Sequence, residues 1–237
     1  MQRSGQIFKV NGNMVSVHTE GEVIQNEVAY ILHGNERLKS EVIRVRGSLA
    51  EMQVYESTSG LKVGDRVEFS NELLSVELGP GLLGQIFDGL QNPLPLLAKT
   101  SGFFLKRGLY LKALPEDVKW NFTPLAKIND KVIAGTRLGS TAEKIFKHYC
   151  LVPFGLKGVW EITSIVPQGE YTVNERIAQL RDENGNTQDV FLKQYWPVKI
   201  PIKAYAEKIK PNEPLVTKMR LIDSFFPVAK GGTYCIP

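Results

Sequence analysis

The chain has 237 residues, which suggests one to two domains and volume for a real core. Hydrophobic residues make up 43% and charged residues 23%, an ordinary globular balance. The net charge of +4, with 29 basic residues against 25 acidic and no basic block, argues against nucleic acid as a partner, and no apolar run approaches the roughly 20 residues that cross a bilayer, so no direct membrane insertion is expected.

The opening MQRSGQIFKV lacks the apolar core of a signal peptide, which makes a cytoplasmic location the default expectation. Cys150 and Cys235 lie far apart, and His18, His33 and His148 have no second ligand nearby in sequence, so no metal or Cys-His motif forms. Both thiols are expected to be buried and reduced.

From residue 2 to residue 69 the pattern is short strands and tight turns. Residues 7–10 and 14–17 flank Asn11-Gly12, a strong hairpin signal, and residues 28–32 precede Gly34-Asn35. In residues 41–46, Ile43 and Val45 share a face opposite Arg44 and Arg46. After Gly47-Ser48, Ala50, Met52 and Val54 face one way, with Glu51, Gln53 and Tyr55 opposite. Gly64-Asp65 leads into a last strand, residues 66–69. This even spacing predicts a small closed barrel. Its aromatics, Phe8, Tyr30 and Tyr55, form no cluster of the kind that stacks on bases, so a structural or assembly role is preferred.

Residues 73–97, LLSVELGPGLLGQIFDGLQNPLPLL, organise the rest. Residues 74–78 alternate like a half-buried strand, and Gly79-Pro80-Gly81 reverses the chain. Leu82, Leu83, Ile86, Phe87 and Leu90 recur at helical spacing and predict a helix stopped by Pro93 and Pro95. Gly79, Gly81 and Gly84 resemble a dinucleotide loop only weakly, because Pro80 interrupts it and a glycine is missing.

Residues 108–199 read as a separate β region. Residues 109–111 are apolar, and residues 118–122 alternate. Residues 128–133 echo residues 63–67, a pattern also met in swinging-arm carrier domains. No lysine here has such a domain's flanking methionine, so shared turn chemistry is the preferred reading. Residues 142–150 fit a helical stripe, yet Pro153 and Gly155 follow; so short an apolar run leaves the period open, and the resemblance given below implies a strand. Residues 158–162 and 169–173 are strands entered from glycine, and residues 173–180 read as either a strand or one short helix. Asn184-Gly185 is a hairpin turn before residues 190–192, and Trp196-Pro197-Val198 with Pro201 is extended. Leu215, Met219, Ile222 and Phe226 have a helical rhythm that Pro227 ends. Residues 230–232 turn, and residues 233–236 begin a buried-strand pattern, so the chain is expected to stop as a larger α/β domain starts.

Three blocks resemble the catalytic A subunit of the vacuolar and archaeal-type rotary ATPases: residues 40–94, the inserted β region, and residues 214–237. The insertion is similar to that subunit's bulge domain, which the B subunit and the F-type relatives lack. The sequence departs from the family at Asn92, where arginine is usual, at Lys218, where glycine is usual, and in the proline-arginine segment, here residues 197–202. The resemblance implies a mainly β chain with a barrel at 1–70, a strand-turn-helix linker and start of the nucleotide-binding domain at 71–110, an inserted bulge at 111–195, and a return to that domain at 196–237, cut before the phosphate loop.

It further implies, for the full-length family, ATP hydrolysis or synthesis coupled to proton or sodium transport. ATP and Mg would be the cofactors. B subunits in an alternating hexameric ring and central and peripheral stalk subunits would be the partners, with the complex peripheral to the membrane on the cytoplasmic side. That chemistry needs a glycine-rich loop ending in Gly-Lys-Ser/Thr. The sequence has none: Lys230-Gly231-Gly232-Thr233 carries the letters in the wrong order. No catalytic, nucleotide-binding or metal residue is therefore assigned, and the chain alone is expected to be inactive. The alternative is a stand-alone β-rich binding or assembly module.

Overall fold

The computed structural model describes residues 3–102, 104–203, 207 and 209–235. It is mainly β and divides into two compact units, Met1–Ile202 and Lys203–Pro237.

In the first unit, β1 (Ser4–Asn11), β2 (Met14–Glu20), β3 (Glu27–His33), β4 (Glu36–Arg46), β5 (Leu49–Val54) and β6 (Arg66–Leu73) form a closed barrel. The strand order is β1-β2-β5-β4-β3-β6, with β6 pairing back to β1. Three hairpins turn on two residues each, with Gly12, Gly34 and Gly47 at φ near +60°, the twist that glycine supplies without strain. β5 alternates as its sequence predicts, with Ala50, Met52 and Val54 buried. β4 does not keep simple alternation. Its register shifts between Val42 and Arg44, so Val42 is fully buried while Ile43 is only half-buried; a bulge re-aims the strand in a way that period-two counting misses. Ile7, Val17, Ile31, Leu38, Met52 and Val67 fill the interior. Buried Glu27 seals one end: it pairs with Arg3 and accepts the N–H groups of Ile24 and Asn71.

The chain leaves the barrel through β7 (Ser75–Leu78). The helix expected over residues 82–90 is absent. That stretch runs through turns and one isolated bridge between Phe87 and Pro93. Asp88 competes with helix there, its carboxylate accepting the N–H groups of Leu90 and Asn92, while Gly84 and Gln91 sit at φ 76° and 65°. The helix forms further on, as α1 (Leu94–Ser101), with Pro93 as its N-cap residue and Pro95 in the first turn. The two prolines start this helix instead of stopping one, because the first turn has no use for the N–H that proline lacks.

Two four-stranded antiparallel sheets follow. One has the order β11-β10-β8-β13 and the other β15-β14-β12-β9. They comprise β8 (Trp120–Pro124), β9 (Lys131–Val132), β10 (Arg137–Glu143), β11 (Phe146–Leu151), β12 (Trp160–Ile165), β13 (Gly169–Tyr171), β14 (Arg176–Arg181) and β15 (Thr187–Phe191). Residues 142–150 are thus a strand hairpin, and residues 176–181 resolve the strand-or-helix ambiguity as strand. Residues 109–111 belong to no strand. Phe122, Leu138, Cys150, Ile162, Ile177 and Leu180 make the core between the sheets. Gly139 lets the Phe122 ring lie flat against the strand: a Cβ there would meet it at 2.2 Å. The echo between residues 63–67 and 128–133 is one turn used twice. Asp65 accepts the N–H of Lys62 at 3.1 Å and Asp130 that of Lys127 at 2.7 Å. Finally β16 (Gln194–Pro197) pairs antiparallel with β7.

In the second unit α2 (Arg220–Phe225) has no buried residue. Asp223 ties down the preceding turn by accepting from Thr217 and Lys218, and an isolated bridge joins Pro214 to Ala229. Thr233, Tyr234 and Cys235 are exposed and outside any strand, and Ile236 lies outside the described residues. The buried strand expected there is not formed over 233–235. Cys235, expected to be buried, is exposed, whereas Cys150 is buried as expected.

Candidate functional site

The polar chemistry of the first unit gathers where the barrel, residues 74–115 and the sheet pair meet. Four side-chain anchors build this junction.

Glu77, on β7, is 8% exposed. Its carboxylate accepts the Tyr195 hydroxyl at 2.8 Å and the Leu114 N–H at 3.3 Å, and lies 3.6 Å from the Lys193 ammonium. Burial and this hydrogen bond push the Tyr195 phenol up to about 12. The Gln91 amide pairs with both backbone groups of Glu77 at 2.7 Å, closing the side of β7 that β16 leaves free.

Glu143 ends β10 and is 2% exposed. One carboxylate oxygen accepts the N–H groups of Gly81 at 2.7 Å and Leu83 at 3.0 Å. The amides that a dinucleotide phosphate would require are therefore taken by an internal carboxylate, which removes the weak dinucleotide-loop reading of residues 79–84. Gly81 takes φ 108°, and a Cβ there would press on Pro115 and Trp120 at 3.0–3.3 Å, so the position favours glycine.

Asn92 is 4% exposed. Its amide donates to Asp88 at 2.8 Å and accepts the Leu111 N–H at 2.8 Å. From there residues 107–110 strap back across the barrel. Arg107 pairs with Glu36 and donates to the carbonyls of Ser57 and Ser59, the Gly108 N–H donates to Glu56, and the Tyr110 hydroxyl accepts the Lys39 N–H at 2.6 Å. The Lys39 ammonium is pushed below its ordinary range by burial, with Asp88 partly opposing.

Lys199 supplies the fourth anchor. It pairs with buried Glu41 at 2.7 Å and donates to Asn26 at 3.1 Å. The segment 197–202 thus makes a basic contact through Lys199. In the other unit, Lys218 takes φ 68°, a left-handed conformation that favours glycine.

Sequence reasoning located the turn at residues 79–81 but missed Glu77, Glu143 and Lys199 as anchors, and Arg107 in the strap. Glu143 had one legible signal: it continues the inward alternation of Gly139 and Thr141. Among the described residues, no group of three or more His, Cys, Asp or Glu side chains could hold a metal ion, and no helix is long and apolar enough to cross a membrane. The turn at Lys230-Gly231 is exposed and carries no such anchor.

Two family models match these two parts of the chain. Residues 7–71 match the model described as ATP synthase alpha/beta family, beta-barrel domain, and residues 111–199 match that of the ATP synthase alpha/beta subunit barrel-sandwich domain. Among individual proteins, the V-type ATP synthase alpha chain of Treponema denticola is 55% identical over 98% of this chain. V-type ATP synthase alpha chain 1 of Treponema pallidum is 55% identical, and the alpha chain of Borreliella afzelii 50% identical, each over 100% of this chain. The chain belongs to the V-type ATP synthase alpha chain family. It spans about two fifths of the length of the relatives it matches, 40–41% of each.

Proposed function

We propose that this chain is the barrel-and-bulge portion of the catalytic subunit of a V-type ATP synthase that couples ATP synthesis or hydrolysis to proton or sodium transport. The observation that carries the reading is identity of about one residue in two along the whole chain, on a barrel-plus-sandwich fold. The domain division proposed is barrel 1–70, linker and start of the nucleotide domain 71–110, bulge 111–195, and return to the nucleotide domain 196–237. The barrel closes a ring with alternating B-type subunits. The bulge projects toward stalk subunits, and the anchored junction fixes the angle between the two. The assembly works at the cytoplasmic face of a membrane as a peripheral complex. ATP and Mg would be held elsewhere in the full-length protein. No Gly-Lys-Ser/Thr sequence is present here, so no residue of this chain is assigned to them.

The chain alone is expected to show no ATP turnover above background, and turnover that survives repurification would overturn the assignment of its residues to scaffolding. The family role is tested separately by reading the coding frame past Pro237. A glycine-rich phosphate loop in frame supports a catalytic subunit, and a stop codon there supports a stand-alone module.

A further inference from the structure

The Glu143 carboxylate has a second oxygen with no part in holding residues 81–83. That oxygen is buried and makes no hydrogen bond, and the Nδ1 of His148 lies 3.4 Å away. Register explains the meeting. Thr141 pairs with His148 and Glu143 with Phe146 across the β10–β11 hairpin, so the three polar side chains share one face. The same face carries Phe122 opposite Thr141, which places the polar group at the end of the sandwich core. Thr141 is itself buried, with its hydroxyl unpartnered.

The geometry points to a proton-controlled latch: His148 and Glu143 together set how tightly the loop at residues 79–83 is held to the β10–β11 hairpin. Among the described residues, the hydrogen bonds that tie this loop to the hairpin are two N–H donors on one Glu143 oxygen. When His148 is neutral, the other oxygen has no charged donor and the carboxylate can rock. When His148 gains a proton, its imidazolium becomes a charge-assisted partner for that oxygen, and the carboxylate is held from both sides. No bond is made or broken beyond the N–H that takes up the proton.

The surrounding charges leave His148 and Glu143 to each other. Lys144 reaches over Gly84, and Lys147 lies toward the Tyr149 ring, as does Arg137. Across the groove of about 160 Å³ that His148 lines, the facing cation is Lys193, and it is engaged by Glu77 and Glu116. Residues 79–83 themselves carry no ionisable side chain. Burial holds the His148 imidazole below its ordinary value, and Glu143 pulls it partly back, which is the coupling the latch requires.

The test is an NMR titration of the 237-residue chain. The backbone amide resonances of Gly81 and Leu83 are expected to shift with the same midpoint as the His148 ring, below the ordinary imidazole value. In His148→Gln those amide shifts disappear over that range. In Glu143→Gln the His148 midpoint moves lower still. Amides of Gly81 and Leu83 that stay flat through the His148 midpoint would overturn the proposal, as would a His148 midpoint indifferent to Glu143→Gln. If Glu143→Gln fails to fold, the wild-type and His148→Gln titrations decide alone.

Discussion

At the scale of single residues, burial without a full set of partners decides what a substitution does. His148 is the case with a pH signature. Because burial lowers its folded pKa, the unfolded chain takes up that proton more readily. Its contribution to stability is complete above the ordinary imidazole value and is lost as pH falls toward the folded value. The melting temperature is expected to drop between about pH 7 and about pH 5, with a smaller drop in His148→Gln, read by circular dichroism. Phe87 shows the opposite situation. It is only half-buried in a turn and bridged to Pro93, so Phe87→Ala is expected to cost under about 2 kcal/mol in urea unfolding, less than the roughly 3–5 kcal/mol of a core phenylalanine. A loss of the full core value would mean that the turn packs more tightly than its exposure indicates. Lys218 holds a left-handed backbone, so Lys218→Gly should relieve roughly 1 kcal/mol and slow amide exchange at Asp223 in α2 and at Phe226 just past it.

At the scale of elements, the barrel was legible and the linker was not, for a physical reason. A strand in a small closed barrel answers mainly to its own alternation and to glycine at its turns, so β5 and the hairpins at Gly12, Gly34 and Gly47 follow from local sequence. Residues 82–90 have apolar residues at helical spacing, yet the Leu83 N–H is taken by Glu143, far away in sequence, and the Leu90 N–H by the side chain of Asp88. Apart from the Asn92–Asp88 pair, the anchors of the junction join residues 14 to 173 positions apart, which no window of sequence reveals. Such contacts can be tested singly. Arg107→Ala removes a pair with Glu36 and two carbonyl contacts, and it is expected to cost about 1–3 kcal/mol and to speed exchange at the Gly108 amide. Unchanged exchange at Gly108 would show that the strap is held by Tyr110 and Glu56 without it.

At the scale of the whole molecule, the first unit should melt as one body. All three tryptophans, Trp120, Trp160 and Trp196, lie outside the barrel. Ile31→Ala, in the barrel core, is expected to cost about 2–5 kcal/mol, and the loss should appear in the tryptophan fluorescence transition although no tryptophan touches the site. A fluorescence midpoint that ignores Ile31→Ala would mean that barrel and sandwich unfold separately. For a scaffold proposed to hold a fixed angle, one cooperative body is the useful property, since a rotation imposed at one end then reaches the other without slack.

The strap at residues 107–110 and the ion pair from Lys199 to Glu41 carry a practical corollary for anyone dividing the gene. A piece ending after Leu73 would contain every strand of the barrel and still lack Arg107, Gly108, Tyr110 and Lys199, the fasteners that arrive from later in translation. Its Glu36 and Glu56 would lose the partners described above, and Glu41 would keep the Tyr55 hydroxyl but lose Lys199. The smallest faithful excision is therefore the span through Lys199, and supplying residues 104–111 as a separate peptide should partly mend the shorter one.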